Sequence, residues 1–449
     1  MSVRAIVISL AGAALLACGS GETEPPPPPA EPAAAAEPDA YPTGIVLALA
    51  QFEKKDGKPV PGPARLEFLY RQAGAWRTTA LEDPESNVFH KAMLYEGAEG
   101  PRLLSMGGTA AIVKTWGRGA TGLEGRTEWR KDFGGKWSRM RDAEVADLYG
   151  DGGASIAVAT HDQGVVAVLR PRASAEQGGE AAAQRAEGER RRAPAGQPNG
   201  FDVLEIDQNP ETFVHEIEIG DLDGDGVLEV YATPSEPNRL DGTPQSGQVV
   251  RYVPARQEGR VVVADLGERH AKEILVDDVD GDGRDELYVS VEGRLGGAGG
   301  KQLLEHVEIR RYEADTPAAE GVVVARIEDR LCRFLSAGDV DGDGSKELVA
   351  AAFSSGVWLL RPGADPKGSW QIELVDADSA GFEHAAILTD LDGDGRDELY
   401  VASDRHKELR RYVWNGERLV RDTIYVRPDD RPIFTWNLMP VPVSLIPGT

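Results

Sequence analysis

The chain has 449 residues, of which 41% are apolar, 28% charged and 6% aromatic. Acidic residues outnumber basic ones by 75 to 49, which gives a formal charge of −26. Proteins that bind nucleic acid carry a basic surface, so this charge argues against nucleic acid as the main partner. The 2 cysteines exclude a disulfide-stapled module, and the length allows either several domains or one large repeat fold.

The N-terminus has the features of a secretion signal. Arg4 precedes an apolar run from Ala5 to Ala17, which has the length of a signal sequence and is too short to span a bilayer. The run closes on Leu15-Leu16-Ala17-Cys18, which resembles the bacterial lipobox. The resemblance implies that residues 1–17 are a lipoprotein signal peptide and that Cys18 is lipidated. The alternatives are an uncleaved anchor and an ordinary signal peptide with a chance cysteine.

Residues 18–43 are rich in Pro, Ala and Glu, and Pro25 to Pro29 are consecutive prolines. Such a segment cannot bury a core, and it predicts an extended, disordered spacer. Gly19 after the cysteine resembles the sorting signal for outer-membrane retention in some bacteria. It implies a lipoprotein of the bacterial outer membrane that faces the periplasm or the cell surface. Cys332 then has no cysteine partner, and we expect a buried apolar side chain.

Four segments share one pattern: an alternating apolar stretch, an acidic Gly-rich loop and a second β-rich stretch. This pattern predicts two strands joined by a tight loop. Two further strand-like runs follow each pair, so the repeating unit contains four strands. The segments are residues 215–234, 272–291, 333–352 and 384–403, and weaker copies lie at 141–160 and 90–108.

Four-stranded units at this spacing predict an all-β fold, a β-propeller of antiparallel blades over residues 45–449. The loops alone give six blades. Residues 44–83 offer three further strands, and the chain after Asp430 offers one more. Joined, they make a seventh blade closed by both chain ends, which we favour over six because closure removes the last free sheet edge. The low-complexity residues 173–200 are interpreted as a disordered insertion.

The four strong copies contain the loop D-x-D-G-D-G-x-x-E, starting at residues 221, 278, 339 and 390. Glycines at positions 4 and 6 permit a sharp turn, so the acids at positions 1, 3 and 5 converge on one point. Such an oxygen-only set suits calcium better than magnesium. An EF-hand closes with an acid at position 12, whereas here the closing acid is at position 9. Acidic turns without a metal are the alternative.

This loop, in a strand–loop–strand context, resembles the FG-GAP/VCBS repeats of integrin α-subunit propellers and of bacterial surface proteins. The resemblance implies one structural calcium ion in each loop, about four in all, bound between the first and second strands of a blade. Its ligands would be the carboxylates at positions 1, 3, 5 and 9 and the backbone carbonyl at position 7. The implied ligands are Asp221, Asp223, Asp225, Val227, Glu229, Asp278, Asp280, Asp282, Arg284, Glu286, Asp339, Asp341, Asp343, Ser345, Glu347, Asp390, Asp392, Asp394, Arg396 and Glu398.

The two weaker copies depart from the loop pattern. In the 147–155 loop, Tyr149 and Ser155 replace acids, and the sequence leaves its metal binding open. The 96–104 loop keeps almost no acids, and we expect it to bind no metal.

Each aligned repeat has a basic side chain six residues before its loop. Apolar residues at alternate positions place this column on the buried face of the first strand, at the end opposite the loop. In a propeller, that end faces the mouth of the central channel. The sequence leaves two interpretations open: a site for an anion such as a carboxylated sugar, phosphate or acidic peptide, or ion pairs with acids such as Asp142, Glu216 and Glu273. The six residues are His90, Arg141, His215, Lys272, Arg333 and His384.

No motif for a serine nucleophile, a phosphate loop, a zinc site or a dinucleotide is present. We therefore predict a monomeric binding module that serves in adhesion, glycan or protein capture, or scaffolding. The alternative is a carbohydrate-active lyase or hydrolase that uses basic-column residues as acid and base. Its candidates are His215, Lys272, Arg333 and His384. A purely structural part of an envelope complex is a third possibility.

Overall fold

A computed structural model describes residues 38–120, 122–135, 137–172, 200–236, 246–296, 302–381, 385–428 and 432–449. The predicted signal peptide, most of the spacer, nearly all of the 173–200 insertion and His384 lie outside the described residues. Within the described residues the protein is all-β, as predicted, apart from 3₁₀ turns at Pro254–Arg256 and Val443–Leu445. None of its described helices is long and apolar enough to cross a membrane.

Seven antiparallel sheets form the blades, numbered here along the chain. Blade 1 contains β1 (Thr43–Lys55), β3 (Ala64–Gln72) and β4 (Ala75–Asp83), and β2 (Lys58–Pro61) forms a hairpin with the end of β1. Blade 2 contains β5 (Phe89–Gly97), β6 (Gly100–Gly107), β7 (Ala111–Arg118) and β8 (Leu123–Lys131). Blade 3 contains β9 (Met140–Ala146), β10 (Ser155–Thr160), β11 (Val165–Pro171) and β12 (Phe201–Gln208).

Blade 4 contains β13 (Phe213–Gly220), β14 (Glu229–Ser235), β15 (Gln248–Val253) and β16 (Glu258–Asp265). Blade 5 contains β17 (Ala271–Asp277), β18 (Glu286–Val291), β21 (Val307–Tyr312) and β22 (Val322–Ile327), with β19 (Arg294–Gly296) and β20 (Gln302–Glu305) as a small added hairpin. Blade 6 contains β23 (Cys332–Gly338), β24 (Glu347–Ala352), β25 (Val357–Arg361) and β26 (Gln371–Asp376). Blade 7 contains β27 (Ala386–Thr389), β28 (Glu398–Ser403), β29 (Glu408–Trp414) and β30 (Leu419–Val426).

The last strand, β31 (Ile433–Pro442), closes the ring. It pairs antiparallel with β1, from Thr43 opposite Pro442 to Gln51 opposite Ile433. Blade 1 therefore consists of three strands from the N-terminal part and one from the C-terminal part. This arrangement confirms the predicted seven blades and their closure, and it shows that the six-bladed alternative is wrong.

The core consists of seven apolar clusters, one between each pair of neighbouring blades. The first strands of the blades follow one another in a ring, in the order β31, β5, β9, β13, β17, β23 and β27. The second strands of blades 3 to 7 are buried along their whole length, because a neighbouring blade covers each face. Outer strands such as β26 are mostly exposed.

Cys332 is fully buried at the start of β23. Burial raises the pKa of its thiol to about 12. The thiol is therefore protonated and unreactive, as expected for a small apolar core residue.

The closing strand provides a test of the ring. Leu438 on β31 is 2% exposed and packs in the cluster between blades 7 and 1, whereas Phe434 on the same strand is 38% exposed. Leu438→Ala should cost about 2–5 kcal/mol, because it leaves a cavity at the closure. Thermal melting should show a fall of several degrees for Leu438→Ala and a smaller one for Phe434→Ala. Equal effects would contradict a ring closed by β31.

Candidate functional site

Each acidic loop joins the first and second strands of a blade, as predicted. The loop that begins at Asp221 follows β13 and leads into β14, and the other three occupy the same place in blades 5, 6 and 7. In all four, the glutamate at position 9 is the first residue of the second strand and is 1–4% exposed. These glutamates are Glu229, Glu286, Glu347 and Glu398.

The loop backbone folds around the aspartate at position 1. The Asp221 carboxylate accepts the N–H groups of Asp225 at 3.0 Å and Gly226 at 2.7 Å. Equivalent bonds from the position-6 glycine are 3.0 Å long in blade 5 and 2.9 Å long in blades 6 and 7. Gly226 has a φ of +83°, in the left-handed region, which explains why glycine occupies position 6.

Three or four acids of each strong loop converge. Positions 1, 3 and 5 come together as predicted in blades 4, 5 and 7, whereas in blade 6 Asp343 at position 5 lies outside the set. In each blade, one oxygen from each member of a set lies within 4.8 Å of the others. The closing glutamate is part of the set in blades 5 and 6. The sets are Asp221, Asp223 and Asp225; Asp278, Asp280, Asp282 and Glu286; Asp339, Asp341 and Glu347; and Asp390, Asp392 and Asp394.

The residues at position 7 are held against the same clusters. Their N–H groups donate to the aspartate at position 5 over 2.8–3.0 Å. The use of their carbonyls as ligands stays a prediction. These residues are Val227, Arg284, Ser345 and Arg396.

The clusters fit a calcium ion. Asp278 Oδ1 and Asp341 Oδ1 are buried and accept no hydrogen bond. Burial raises the pKa of Glu347 and of Glu398 to about 7, because these carboxylates are poorly solvated. A cation at this point would satisfy the two orphan oxygens and neutralise the acids. The loops are also oxygen-only donor sets, which is the kind that calcium prefers.

Contacts between neighbouring loops were not predicted. The Asp285 carboxylate accepts the N–H of Asp221 at 2.7 Å, and Asp397 accepts that of Asp339 at 2.9 Å. Between blades 5 and 6, Lys346 Nζ lies 2.7 Å from Asp277 Oδ1. In blades 5, 6 and 7 the residue at loop position 8 thus links its blade to the start of the preceding loop or to the residue just before it.

The two weaker loops differ from the four strong ones. Among the described residues, neither contributes a set of three clustered acids. In the 147–155 loop, Arg170 Nη2 lies 2.5 Å from Asp151 Oδ2, and its guanidinium sits 4.0 Å from the centre of the Tyr149 ring. In the 96–104 segment β5 ends at Gly97 and β6 begins at Gly100, so only two residues connect the strands.

The basic column lies at the end of the channel opposite the acidic loops. Each of its five described members is the second or third residue of a first strand. Four are at most 6% exposed, and Arg141 is partly exposed. The five are His90, Arg141, His215, Lys272 and Arg333, and the sixth, His384, lies outside the described residues.

In blades 5 and 6 the column is neutralised by Glu292, an acid that the sequence analysis missed. Its carboxylate lies 3.9 Å from Lys272 Nζ, 3.6 Å from Arg333 Nη1 and 2.9 Å from His270 Nε2. Burial alone would raise the pKa of Glu292, but the charge of Lys272, the hydrogen bond from His270 and the charge of Arg333 lower it to about 2. In blades 5 and 6 the basic column therefore agrees with the interpretation in which its members form ion pairs.

In blades 1 to 4 the column forms an imidazole patch, defined here as His90, Arg141, His161, His215 and Trp436. Arg141 Nη1 lies 3.4 Å from His90 Nδ1, and the centres of the His90 and Trp436 rings are 4.8 Å apart. His161 lies against His215 with ring centres 4.9 Å apart, and His215 Nε2 is 3.1 Å from Ser235 Oγ. His161 and Trp436 were not predicted.

The imidazoles of the patch are neutral at neutral pH. Burial lowers the pKa of His161 to about 4; the Asp162 carboxylate opposes this shift, and the charges of Arg139 and Arg141 add to it. Burial and neighbouring cations also hold the pKa of His90 and His215 well below the usual range. An anion bound here would reverse these shifts, and the site would take up protons.

The opposite face of the first strands carries a cluster of buried acids around Lys91. Lys91 Nζ lies 3.0 Å from Asp142 Oδ1 and also contacts Glu144. Asp142 accepts the N–H of Ile217 at 2.9 Å, and Glu273 accepts that of Leu335 at 3.0 Å. Both acids were suggested above as partners of the basic column. Asp142 instead binds Lys91 and the backbone of the next blade, and Glu273 binds the backbone of the next blade. We name the set the channel acids: Asp142, Glu144, Glu216, Glu218 and Glu273.

In a comparison with known protein families, residues 339–401 match the family of the FG-GAP-like repeat. The matched residues include the acidic loops of blades 6 and 7, the last three strands of blade 6, and the first strand and part of the second strand of blade 7. The earlier resemblance to such propellers is therefore confirmed for this part of the chain. None of the curated protein sequences matches the chain.

Solved structures share the propeller fold at low sequence identity. A candidate 6-phosphogluconolactonase from Bacteroides uniformis is 12% identical, with a TM-score of 0.50 over 90% of this chain and 100% of that one. A second candidate from Bacteroides fragilis is 15% identical, with a TM-score of 0.47 over 89% and 98%. A chain of a nidogen/laminin complex is 13% identical, with a TM-score of 0.41 over 89% and 99%. At such identities the likeness concerns the fold alone.

The channel acids provide a pH-dependent test. Burial raises the pKa of Glu273 to about 8, so the folded protein keeps a proton that the unfolded chain loses above about pH 4.5. Wild-type stability should therefore fall as pH rises from about 4.5 to 8, relative to Glu273→Gln. Thermal melts should show Glu273→Gln equal to wild type at pH 4.5 and a few degrees more stable at pH 8.5.

Glu373→Gln on the exposed β26 is the matched control and should show no such trend. A Glu273→Gln variant that is less stable than wild type at pH 8.5 would contradict the burial argument.

Proposed function

We propose that this protein is a calcium-stabilised, lipid-anchored binding module that captures an anionic ligand at the imidazole patch. A propeller with an FG-GAP-like repeat fits a binding or scaffold module. The converged acids of blades 4 to 7 support about four structural calcium ions, one in each loop. Calcium would join the first two strands of a blade, and rigid protein groups surround it. The ions therefore have a structural role.

The lipid anchor is supported by the sequence. The run that ends in Leu15-Leu16-Ala17-Cys18 supports lipidation of Cys18, and the Pro-rich residues 18–43 would separate the propeller from the bilayer. We place the protein on the bacterial outer membrane, facing the periplasm or the cell surface.

The observation that carries the ligand proposal is the imidazole patch. Arg141, His161 and Trp436 are partly exposed there, whereas His90 and His215 lie behind them. A guanidinium attracts an anion, neutral imidazoles gain protons as it binds, and an indole face packs against a sugar ring. A carboxylated sugar combines these features. The channel acids would repel the ligand from deeper in the channel.

Ligand binding should depend on pH in one direction. Titration calorimetry with galacturonate oligomers, in excess calcium, should show affinity rising at least tenfold from pH 8 to pH 5.5, because His161 takes up a proton on binding. His161→Gln should flatten this dependence, and Arg141→Gln should weaken binding at both pH values.

His306→Gln, an exposed histidine outside the patch, is the control and should bind as wild type does. Product analysis after incubation separates the two classes of function: unchanged oligomers support a binding module, and shortened or unsaturated ones support the lyase or hydrolase. No binding at pH 5.5 would count against the patch as a site for acidic sugars.

Removal of calcium should lower stability. An ion that binds only the folded state contributes about 2.7 kcal/mol per site at 100 times its Kd. An excess of chelator should therefore lower the melting temperature markedly, and Asp223→Ala should reproduce part of that loss in calcium. Asp202→Ala, at an exposed position in β12, is the control. An unchanged melting curve in chelator would contradict structural calcium.

A further inference from the structure

In blades 5 and 6 an arginine on the third strand forms ion pairs with two acids of the loop. Arg311 Nη2 lies 2.5 Å from Asp280 Oδ2 and 3.1 Å from Glu286 Oε1. Arg361 Nη1 lies 3.1 Å from Asp341 Oδ2 and 2.9 Å from Glu347 Oε1. In both blades the guanidinium therefore holds the same two acids, those at loop positions 3 and 9.

The other two strong loops carry an arginine on the same strand. Arg251 Nη1 lies 2.7 Å from Glu229 Oε1 and 3.7 Å from Asp223 Oδ2. Arg411 on β29 bonds to the Tyr41 hydroxyl at 3.0 Å, and its charge lowers the pKa of Glu398 and of Asp392 against the effect of burial. A third-strand cation is thus a constant feature of the acidic blades.

Blade 3 shows what the arginine does where acids are missing. Arg170 stands opposite Ser155, one residue beyond the paired Ile156 and Leu169. Arg361 stands opposite Glu347 in the same way, one residue beyond the paired Leu348 and Leu360. Arg170 binds Asp151 and covers Tyr149, the residues at loop positions 5 and 3. In this loop a guanidinium alone serves as the positive centre.

We infer that Arg311 and Arg361 are resident counter-cations, which hold the loop acids together without calcium and compete with calcium for them. The inference rests on the proposed calcium binding of these loops. Calcium affinity is then the difference in free energy between two states of the loop, one with the guanidinium as the only cation beside the acids and one with the metal added.

The charges of the blade 6 loop predict whether removal of Arg361 strengthens or weakens calcium binding. The loop offers four carboxylates, Asp339, Asp341, Asp343 and Glu347, and Arg361 supplies one positive charge beside them. Removing that charge leaves the calcium-free loop with unrelieved repulsion and makes the site more attractive to a divalent cation, whose affinity rises with ligand charge. An arginine that only oriented the ligands would give the opposite sign, because its loss would weaken calcium binding.

Blade 6 offers a local reporter for this test. Trp414 lines a cavity of about 530 Å³ together with Asp341, Asp343 and Glu347, and the Arg361 guanidinium lies 4.9 Å from the centre of the Trp414 ring. Terbium binds at calcium sites and emits when a nearby indole is excited. Terbium titration of the full chain, followed by calcium displacement, therefore reports on this loop. Trp414→Phe identifies its share of the signal.

Arg361→Gln should lower the midpoints for terbium and calcium by roughly tenfold. Arg361→Gln should also lower the melting temperature, and this decrease should be several degrees larger in chelator than in calcium. Arg361→Lys keeps the charge and should leave the midpoint within about threefold of wild type. Arg326→Gln, at an exposed arginine of β22 paired with Glu308, is the control and should change neither reading.

The outcomes separate the two proposals. Wild-type protein that binds neither terbium nor calcium contradicts the calcium proposal itself. Wild-type binding with an unchanged or weaker midpoint in Arg361→Gln overturns the counter-cation role alone. If Arg361→Gln does not fold even in calcium, Arg361→Lys decides: a midpoint near wild type supports the counter-cation, and a tenfold weaker one shows that the arginine orients the ligands.

Discussion

Antiparallel pairing of β31 with β1 is the constraint on which the rest of the structure depends. It closes seven blades into a ring and brings their first strands side by side. Those strands carry the basic column at one end, the channel acids on the other face and the acidic loops at the far end. Closure therefore forces like charges into a narrow space, and much of the polar structure compensates for that crowding.

The compensation differs along the channel. Lys91 pairs with two of the channel acids, and burial raises the pKa of Glu216 and Glu218 well above the usual range, so protons supply the remaining neutralisation. At the basic end Glu292 lies beside two cations, Lys272 and Arg333, and beside His270. At the loops the arginines of the third strands supply the positive charge. The buried carboxylate oxygens that still accept no hydrogen bond suit a divalent ion. One problem, buried like charge, thus has three local solutions.

Features with fixed spacing could be predicted from the sequence. The two-stranded hairpin has nearly constant length, so the loop acids and the basic column align between repeats. Glu292 and His161 lie 20 residues after Lys272 and Arg141, just beyond the second strand of each hairpin, and this constant offset could have revealed both. The third-strand arginines follow connections of different length: Arg311 lies 25 residues after Glu286, but Arg361 only 14 after Glu347. The strand register differs as well, because Arg311 stands opposite Tyr288 whereas Arg361 lies one residue beyond the paired Leu348 and Leu360. Only their ion pairs with the loop acids show that the two arginines are equivalent.

The distribution of charge also separates the two ends of the molecule by role. At the loop end, acids, arginines and bonds from one blade to the next tie neighbouring hairpins together, so substitutions there act on stability first. At the other end, Glu292 neutralises blades 5 and 6, whereas the imidazole patch keeps partly exposed cationic and aromatic groups on a protein with a net charge of −26. The proposed anion site depends on this local positive charge on an otherwise anionic protein. In that proposal, ring closure assigns stability to the loop end and recognition to the patch.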